Sequence, residues 1–286
     1  MGFRHKRDSS ATRRNDNFKH DRDNRISIYN LSVASQRSVE PFADLSAEPA
    51  VRGFLHLPAH ENGDALVLTH GAGANCQSKL LVAIADAFAE AGFTVLRCDL
   101  PFRQARPHGP PFPAYAERDR EGLRRAVNVV KQRVPGHVFL GGHSYGGRQA
   151  TMLVADSLSA GIPANDSQIG NPQSDGLQLL AGLLLLSYPL HPPRKPTEMR
   201  TGHFSRMRVP ALFVHGSRDP FGSTTEIKSA LKLIPACTML LEAEGLGHDL
   251  LARKAVGELP AKIVEAFSSF FVLKTHNASL SSETMR

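Results

Sequence analysis

Cysteine is scarce and scattered. The three thiols, Cys76, Cys98 and Cys237, form no CxxC pair and no cluster with histidine. An odd number of widely spaced cysteines excludes a disulfide framework and a zinc site, and it suits a reducing compartment. Long hydrophobic runs are missing too. The most apolar stretches, Leu80 to Ala91 and Leu177 to Leu186, fall well short of the roughly 20 residues needed to cross a bilayer. The first 25 residues lack the apolar centre of a secretory signal, and their aspartates argue against a transit peptide. Lys6 stands where a myristoylation signal needs Ser or Thr. The expectation is a cytoplasmic protein with no membrane partner, no metal and no cofactor.

Aromatics are sparse, at 7% of the chain, and no interleaving of aromatic and basic residues suggests a single-strand nucleic-acid binder. The net charge of +7 does not restore a nucleic-acid partner, because residues 1–25 hold eight Lys or Arg against four Asp. That stretch is polar and has the composition of a disordered extension. The expected organisation is a basic extension over 1–45, one domain over 46–274 and a flexible tail over 275–286. With 41% hydrophobic residues, the middle span is long enough for a sizeable core.

What is present concentrates at Gly142-His143-Ser144-Tyr145-Gly146-Gly147. A G-x-S-x-G string arises by accident roughly 0.15 times in a chain of this composition, so its setting matters more than its letters. Val138-Phe139-Leu140 reads as a buried strand leading in, and Arg148 to Leu158 as an amphipathic helix leading out. In that setting the string reads as a nucleophile elbow, a tight strand-to-helix turn that strains the serine backbone and thrusts its hydroxyl outward.

From Val51 onward strand-like and helix-like segments alternate, which predicts a mainly parallel sheet flanked by helices. Strands are expected at Val51 to Leu57, Ala65 to Thr69, Phe93 to Arg97, Leu179 to Ser187, Ala211 to Val214 and Thr238 to Leu241. Helices are expected at Ser78 to Ala91, Ala114 to Arg133, Glu226 to Leu233 and Lys254 to Phe271. Pro101 to Pro113 reads as a Pro- and Arg-rich loop, and Ser159 to Asp175 as a polar surface insertion.

A serine hydroxyl needs a histidine to accept its proton and a carboxylate to orient that histidine. Asp219 follows the strand from Ala211, and His248 follows the strand from Thr238. With Ser144 they stand in the order nucleophile, acid, histidine, each just past a strand. Asp99 and Glu244 compete as acids, but the first precedes the serine and the second shares the loop of His248. Acyl chemistry also needs N–H donors for a developing oxyanion. Tyr145, the residue after the serine, supplies one. The loop His70-Gly71-Ala72-Gly73-Ala74 supplies the other, from Ala72 or its neighbour Gly73.

The strings HGAGA, GHSYGG, the Asp219 turn and GHD are laid out as in the α/β-hydrolase superfamily, over roughly residues 50 to 272. More narrowly, the stretch from Tyr188 to Pro196 and the stretch from Ser217 to Gly222 resemble the dienelactone-hydrolase-related group that includes testis-expressed and NSL-complex relatives. That resemblance implies a serine-hydrolase scaffold without naming a substrate, and some relatives are similar mainly as interaction proteins. Dienelactone hydrolases proper use a cysteine nucleophile, where this chain has Ser144.

Many enzymes of this fold carry a helical cap before the acid strand. Here the connection from Tyr188 to Pro210 is short and begins with prolines, which disfavour helix. An open site without a large cap is expected, suited to a short, polar or bulky substrate, and the leading reading is a serine hydrolase that cleaves an ester, thioester or small amide bond through an acyl-enzyme. Arg103, Arg106 and His108 from one loop, and Arg194, Lys195, Arg200 and His203 from another, are candidates for a basic rim that attracts an anionic ester. Arg103, Arg194 and His191 are the candidate substrate contacts. Two other readings stay open: a catalytically quiet scaffold that binds a protein partner, and perhydrolase or lyase chemistry on the same three residues.

Overall fold

The computed structural model describes residues 36–157, 180–250 and 258–283. Eight strands form one sheet in the order β1-β2-β4-β3-β5-β6-β7-β8. They are β1 (Ser38–Asp44), β2 (Val51–Leu57), β3 (Ala65–Thr69), β4 (Thr94–Cys98), β5 (Val138–His143), β6 (Leu180–Leu186), β7 (Ala211–Gly216) and β8 (Thr238–Ala243). The strands from β4 across to β8 run parallel, whereas β1 and β2 pair antiparallel at one edge.

A parallel strand covered on both faces must be apolar on both. All five residues of β3 are buried. Ala65 and Val67 enter one core, and Leu66 and Leu68 enter the other. The first core is closed by helices α3 (Ala116–Lys131), α4 (Tyr145–Ser157) and α5 (Thr224–Leu231). The second is closed by α1 (Lys79–Glu90) and α6 (Leu259–Glu283), through a cluster of edge-on rings including Phe88, Phe93, Phe139 and Phe267. Burying each such side chain contributes about 1.5–3 kcal/mol.

The chain passes from β3 outward to β4, then returns past β3 to β5 on the other side. This places a strand-order reversal between β3 and β5, where the crevice at the carboxyl ends of an open α/β sheet opens. The loop after β3 and the turn after β5 face each other across it, since Thr69 pairs with Gly142 in the last register step.

Three expectations need correction. Ser38–Asp44, assigned by composition to the extension, is an edge strand paired with β2 along its length. Its Glu, Pro and Asp residues carry no alternating apolar pattern because one edge and much of both faces are open to water. The Pro- and Arg-rich loop contains a short helix, α2 (Pro101–Ala105), with proline at its first position, where no N–H is needed. The closing helix runs on to Glu283, into the span expected to be tail. The polar insertion and the expected helix start near Lys254 lie outside the described residues. The Tyr188–Pro210 connection has no helix beyond the 3-10 turn Phe204–Arg206.

Candidate functional site

Ser144 sits at φ 51°, in the left-handed region, where a residue with a Cβ is strained by roughly 1–2 kcal/mol. The strain is held by contacts on either side. The Ser144 N–H donates to Leu186 O at 2.8 Å, and its carbonyl accepts the first helical bond from Arg148 N–H at 3.0 Å. The flanking glycines are steric requirements. A Cβ on Gly142 would lie 2.6 Å from the Gly146 carbonyl carbon, and one on Gly146 would lie 2.6 Å from His70 O. The helix can therefore start at Tyr145, three residues earlier than its apolar pattern suggests.

His248, from the loop after β8, brings Nε2 to 2.8 Å from Ser144 Oγ. Its Nδ1 lies 2.8 Å from Asp219 Oδ2. An ionised carboxylate only accepts, so Nδ1 carries the proton and Nε2 is the acceptor facing the serine hydroxyl. The Asp219 side chain is wholly buried and that of His248 is 20% exposed. The other carboxylate oxygen of Asp219 accepts Phe221 N–H at 2.8 Å. The Phe221 ring covers the imidazole of His248 with centroids 4.1 Å apart.

Several supporting residues carry no signal in the motif. His143, the x position of the string, donates from Nε2 to the His248 carbonyl at 2.8 Å, and burial holds its pKa down to about 4. A neutral His143 thus fixes the backbone of the residue that faces Ser144. His215 donates from Nε2 to Gly222 O at 2.7 Å, and its Nδ1 stands 3.8 Å from Asp219 Oδ2, beyond hydrogen-bond distance. Asp119, fully buried on α3, accepts the Tyr145 hydroxyl at 2.8 Å and Phe102 N–H at 2.9 Å. Burial pushes its carboxyl above the usual range, against those two bonds.

The loop after β3 lies against the serine. A Cβ on Gly71 would come within 3.4 Å of Ser144 Cβ. Ala74 N–H closes the turn on Gly71 O at 3.1 Å, and the N–H groups of Ala72 and Gly73 have no partner among the described residues. Gly71 O also faces His70 Nδ1 at 2.9 Å. Leu100 N–H donates to His70 Nε2 at 3.1 Å, which puts the imidazole proton on Nδ1. Asp99 caps the loop's far end by accepting Cys76 N–H at 2.7 Å, and Glu244 is an exposed partner of Ser217. Among the described residues neither competitor bonds to the His248 ring, whose carboxylate partner is Asp219.

Two candidate substrate contacts prove to be buried fixtures. Arg103 is 6% exposed, and its guanidinium donates to Ala72 O, Ala74 O, Arg106 O and Gly109 O at 2.7–3.1 Å. A cation wholly engaged by carbonyls does not attract substrate from solution. His191, also 6% exposed, donates to its neighbour Pro192 O from Nδ1 at 2.8 Å. Its backbone N–H holds Phe221 O at 3.0 Å, so it steadies the turn that bears Asp219. His203 is buried on Thr151 and Lys195 pairs with Glu198. Of the rest of the expected rim, His108 and Arg194 are exposed, Arg106 and Arg200 are half-buried, and Lys195 is exposed with its charge on Glu198.

Residues 62–271, nearly three-quarters of the chain, match the family described as the alpha/beta hydrolase domain. The chain belongs to that family. Among solved structures, this alpha/beta hydrolase is similar to an alpha-beta serine hydrolase homologue from Coxiella burnetii, with 17% identity, 79% of this chain and 96% of that one covered, and a TM-score of 0.60. It is also similar to a dienelactone hydrolase from Anabaena variabilis, with 17% identity, 82% and 99% coverage, and a TM-score of 0.59. A serine hydrolase without lid from Xanthomonas campestris aligns with 14% identity, 83% and 96% coverage, and a TM-score of 0.54. At these identities the likeness is one of fold. Among the described residues no helix is long and apolar enough to cross a membrane, and no cluster of three His, Cys, Asp or Glu could hold a metal ion.

Proposed function

We propose that this alpha/beta hydrolase is a serine hydrolase of small ester-type substrates, acting through an acyl-enzyme. The observation that carries the reading is the continuous chain from Ser144 Oγ through His248 to Asp219, with both links at 2.8 Å. His248 Nε2 takes the hydroxyl proton as Ser144 Oγ attacks the carbonyl carbon, and then returns it to the departing alcohol. Asp219 holds the imidazole tautomer and offsets the charge of the imidazolium. The N–H groups of Tyr145 and Ala72 receive the oxyanion. Water activated by the same imidazole then releases the acid. An uncapped crevice suits a short acyl group, and the burial of Arg103 and His203 leaves little reason to require an anionic one. The scaffold alternative gives no account of a strained serine held on an imidazole that is itself held by a buried carboxylate. A fluorophosphonate probe tests the reading: wild-type protein is expected to label and Ser144→Ala not to. Absence of labelling in the wild type, or equal labelling in the variant, overturns it.

A further inference from the structure

The helix α2 spans only five residues, yet both halves of the oxyanion site are tied to it. Leu100, its N-cap, donates to His70 Nε2, and the imidazole then donates from Nδ1 to Gly71 O. In a trans peptide the C=O and the following N–H point opposite ways, so fixing Gly71 O aims the Ala72 N–H away from His70. Arg103 repeats the device one peptide later by taking Ala72 O at 2.7 Å, and Ala74 O at 2.8 Å. Between these two residues, Phe102 N–H anchors Asp119, whose other oxygen holds the Tyr145 hydroxyl. The Phe102 ring meets the Tyr145 ring edge-on at 5.6 Å. One turn of helix therefore grips the loop carrying Ala72 and the residue carrying the opposite donor.

We propose that α2 is a brace that sets the separation and direction of the two oxyanion donors, with Arg103 and Asp119 as positioning residues. Neither touches the reacting atoms. Both are buried charged groups in which every bond goes to a backbone or phenol group of the two oxyanion arms, of α2 itself or of the loop that follows it. Burying a charge is costly unless it is fully bonded, and simple packing would be served as well by apolar side chains. The proposal rests on the hydrolase reading and adds to it where oxyanion geometry comes from.

The test compares Arg103→Gln, Arg103→Lys, Asp119→Asn and Tyr145→Phe with wild type. Readouts are kcat and KM on a short acyl ester, and affinity for an alkylboronic acid, whose adduct with Ser144 puts an oxygen in the oxyanion position. A misplaced donor is expected to lower kcat by about 10- to 100-fold, to weaken boronic-acid binding in proportion, and to leave KM within about twofold and the acid limb of the pH profile unmoved, since His248 and Asp219 are untouched. The double variant Asp119→Asn/Tyr145→Phe is expected to fall no further than the worse single variant, because Asp119 acts through Tyr145. A purely structural role would lower Tm without this split. If wild type turns over the ester while Arg103→Gln and Asp119→Asn, folded by circular dichroism, keep kcat and boronic-acid affinity, the brace is wrong and the hydrolase reading stands. If wild type neither labels nor turns over, the hydrolase reading itself has failed. Should the glutamine and asparagine variants not fold, Tyr145→Phe, which removes a single oxygen, decides alone: unchanged kcat and boronic-acid affinity overturn the proposal.

Discussion

Gly146→Ala puts two opposed effects on one atom. Gly146 lies in the first turn of α4, where replacing glycine by alanine should stabilise a free helix by up to about 1 kcal/mol. The added Cβ would lie 2.6 Å from His70 O and 2.6 Å from Thr69 Cγ2. The first neighbour is backbone at the end of a central strand and cannot swing aside, so the start of α4 or the end of β3 must shift by several tenths of an ångström. Overpacking of this kind costs about 1–3 kcal/mol, which set against the propensity gain leaves a net loss of up to about 2 kcal/mol. In a domain of this size that lowers Tm by a few degrees. The displaced peptides are those that lead into Ala72 and out of Tyr145, so kcat should fall by at least about tenfold as the donors separate. Gly73→Ala is the control, since nothing lies within 4 Å of its Cβ. Thermal unfolding and ester turnover for the two variants decide the matter. A Gly146→Ala protein as stable and as active as wild type would refute the claim that β3 and α4 approach too closely for a side chain.

Asp219→Asn should keep the fold but let the amide turn the imidazole to the wrong tautomer, lowering kcat by about 10^4 as in the serine-protease precedent; a fall below tenfold on a neutral ester at pH 7 would show that another group orients His248. Acid should destabilise the protein through histidines before its carboxylates titrate. His56, His143 and His203 are each held to a pKa of about 4 by burial, so between the unfolded value near 6.5 and pH 4 the unfolded chain binds more protons. Stability is then fully present above pH 6.5 and falls on acidification, by roughly 1 kcal/mol per histidine from pH 6.5 to 5.5. Asp119, raised by burial, acts in the opposite sense. Urea unfolding at the two pH values checks the sign, and a midpoint that rises on acidification would contradict it.

The strand-helix alternation was legible because buried parallel strands are short apolar runs that end at glycine or at polar turns. The strands expected at Val51–Leu57 and Ala65–Thr69 coincide with β2 and β3, and Ser78 caps α1 as its position suggests. The order of Ser144, Asp219 and His248 was legible for a related reason, since each follows a strand that delivers it to one sheet edge. The edge strand β1 and the helix α2 were not. An edge strand needs no apolar face, and α2 is stabilised by tertiary bonds to Asp119 and His70 rather than by its own periodicity. Charge was the most misleading signal. Arg103 looks the same in sequence whether it faces solvent or four carbonyls, and only the folded loop decides.

That ambiguity bears on specificity. An arginine committed to Ala72 and Ala74 cannot also recognise a substrate carboxylate without releasing the loop it holds. Releasing it would strand a buried cation and unaim a donor, so an anionic group entering near Arg103 would weaken the interactions that serve the transition state. We propose that discrimination comes from side chains that can move without disturbing that geometry. Two candidates are Arg194, exposed at φ 62°, and the Arg106–Phe112 stack, where the guanidinium lies 4.4 Å from the ring centroid and Phe112 is 54% exposed. An aromatic side chain already paired with a cation offers a flat, partly apolar wall. Phe112→Ala should accordingly raise KM for aromatic acyl esters by several-fold while leaving acetyl esters and kcat unchanged. Equal effects on both ester classes would move the specificity wall elsewhere on the sheet edge.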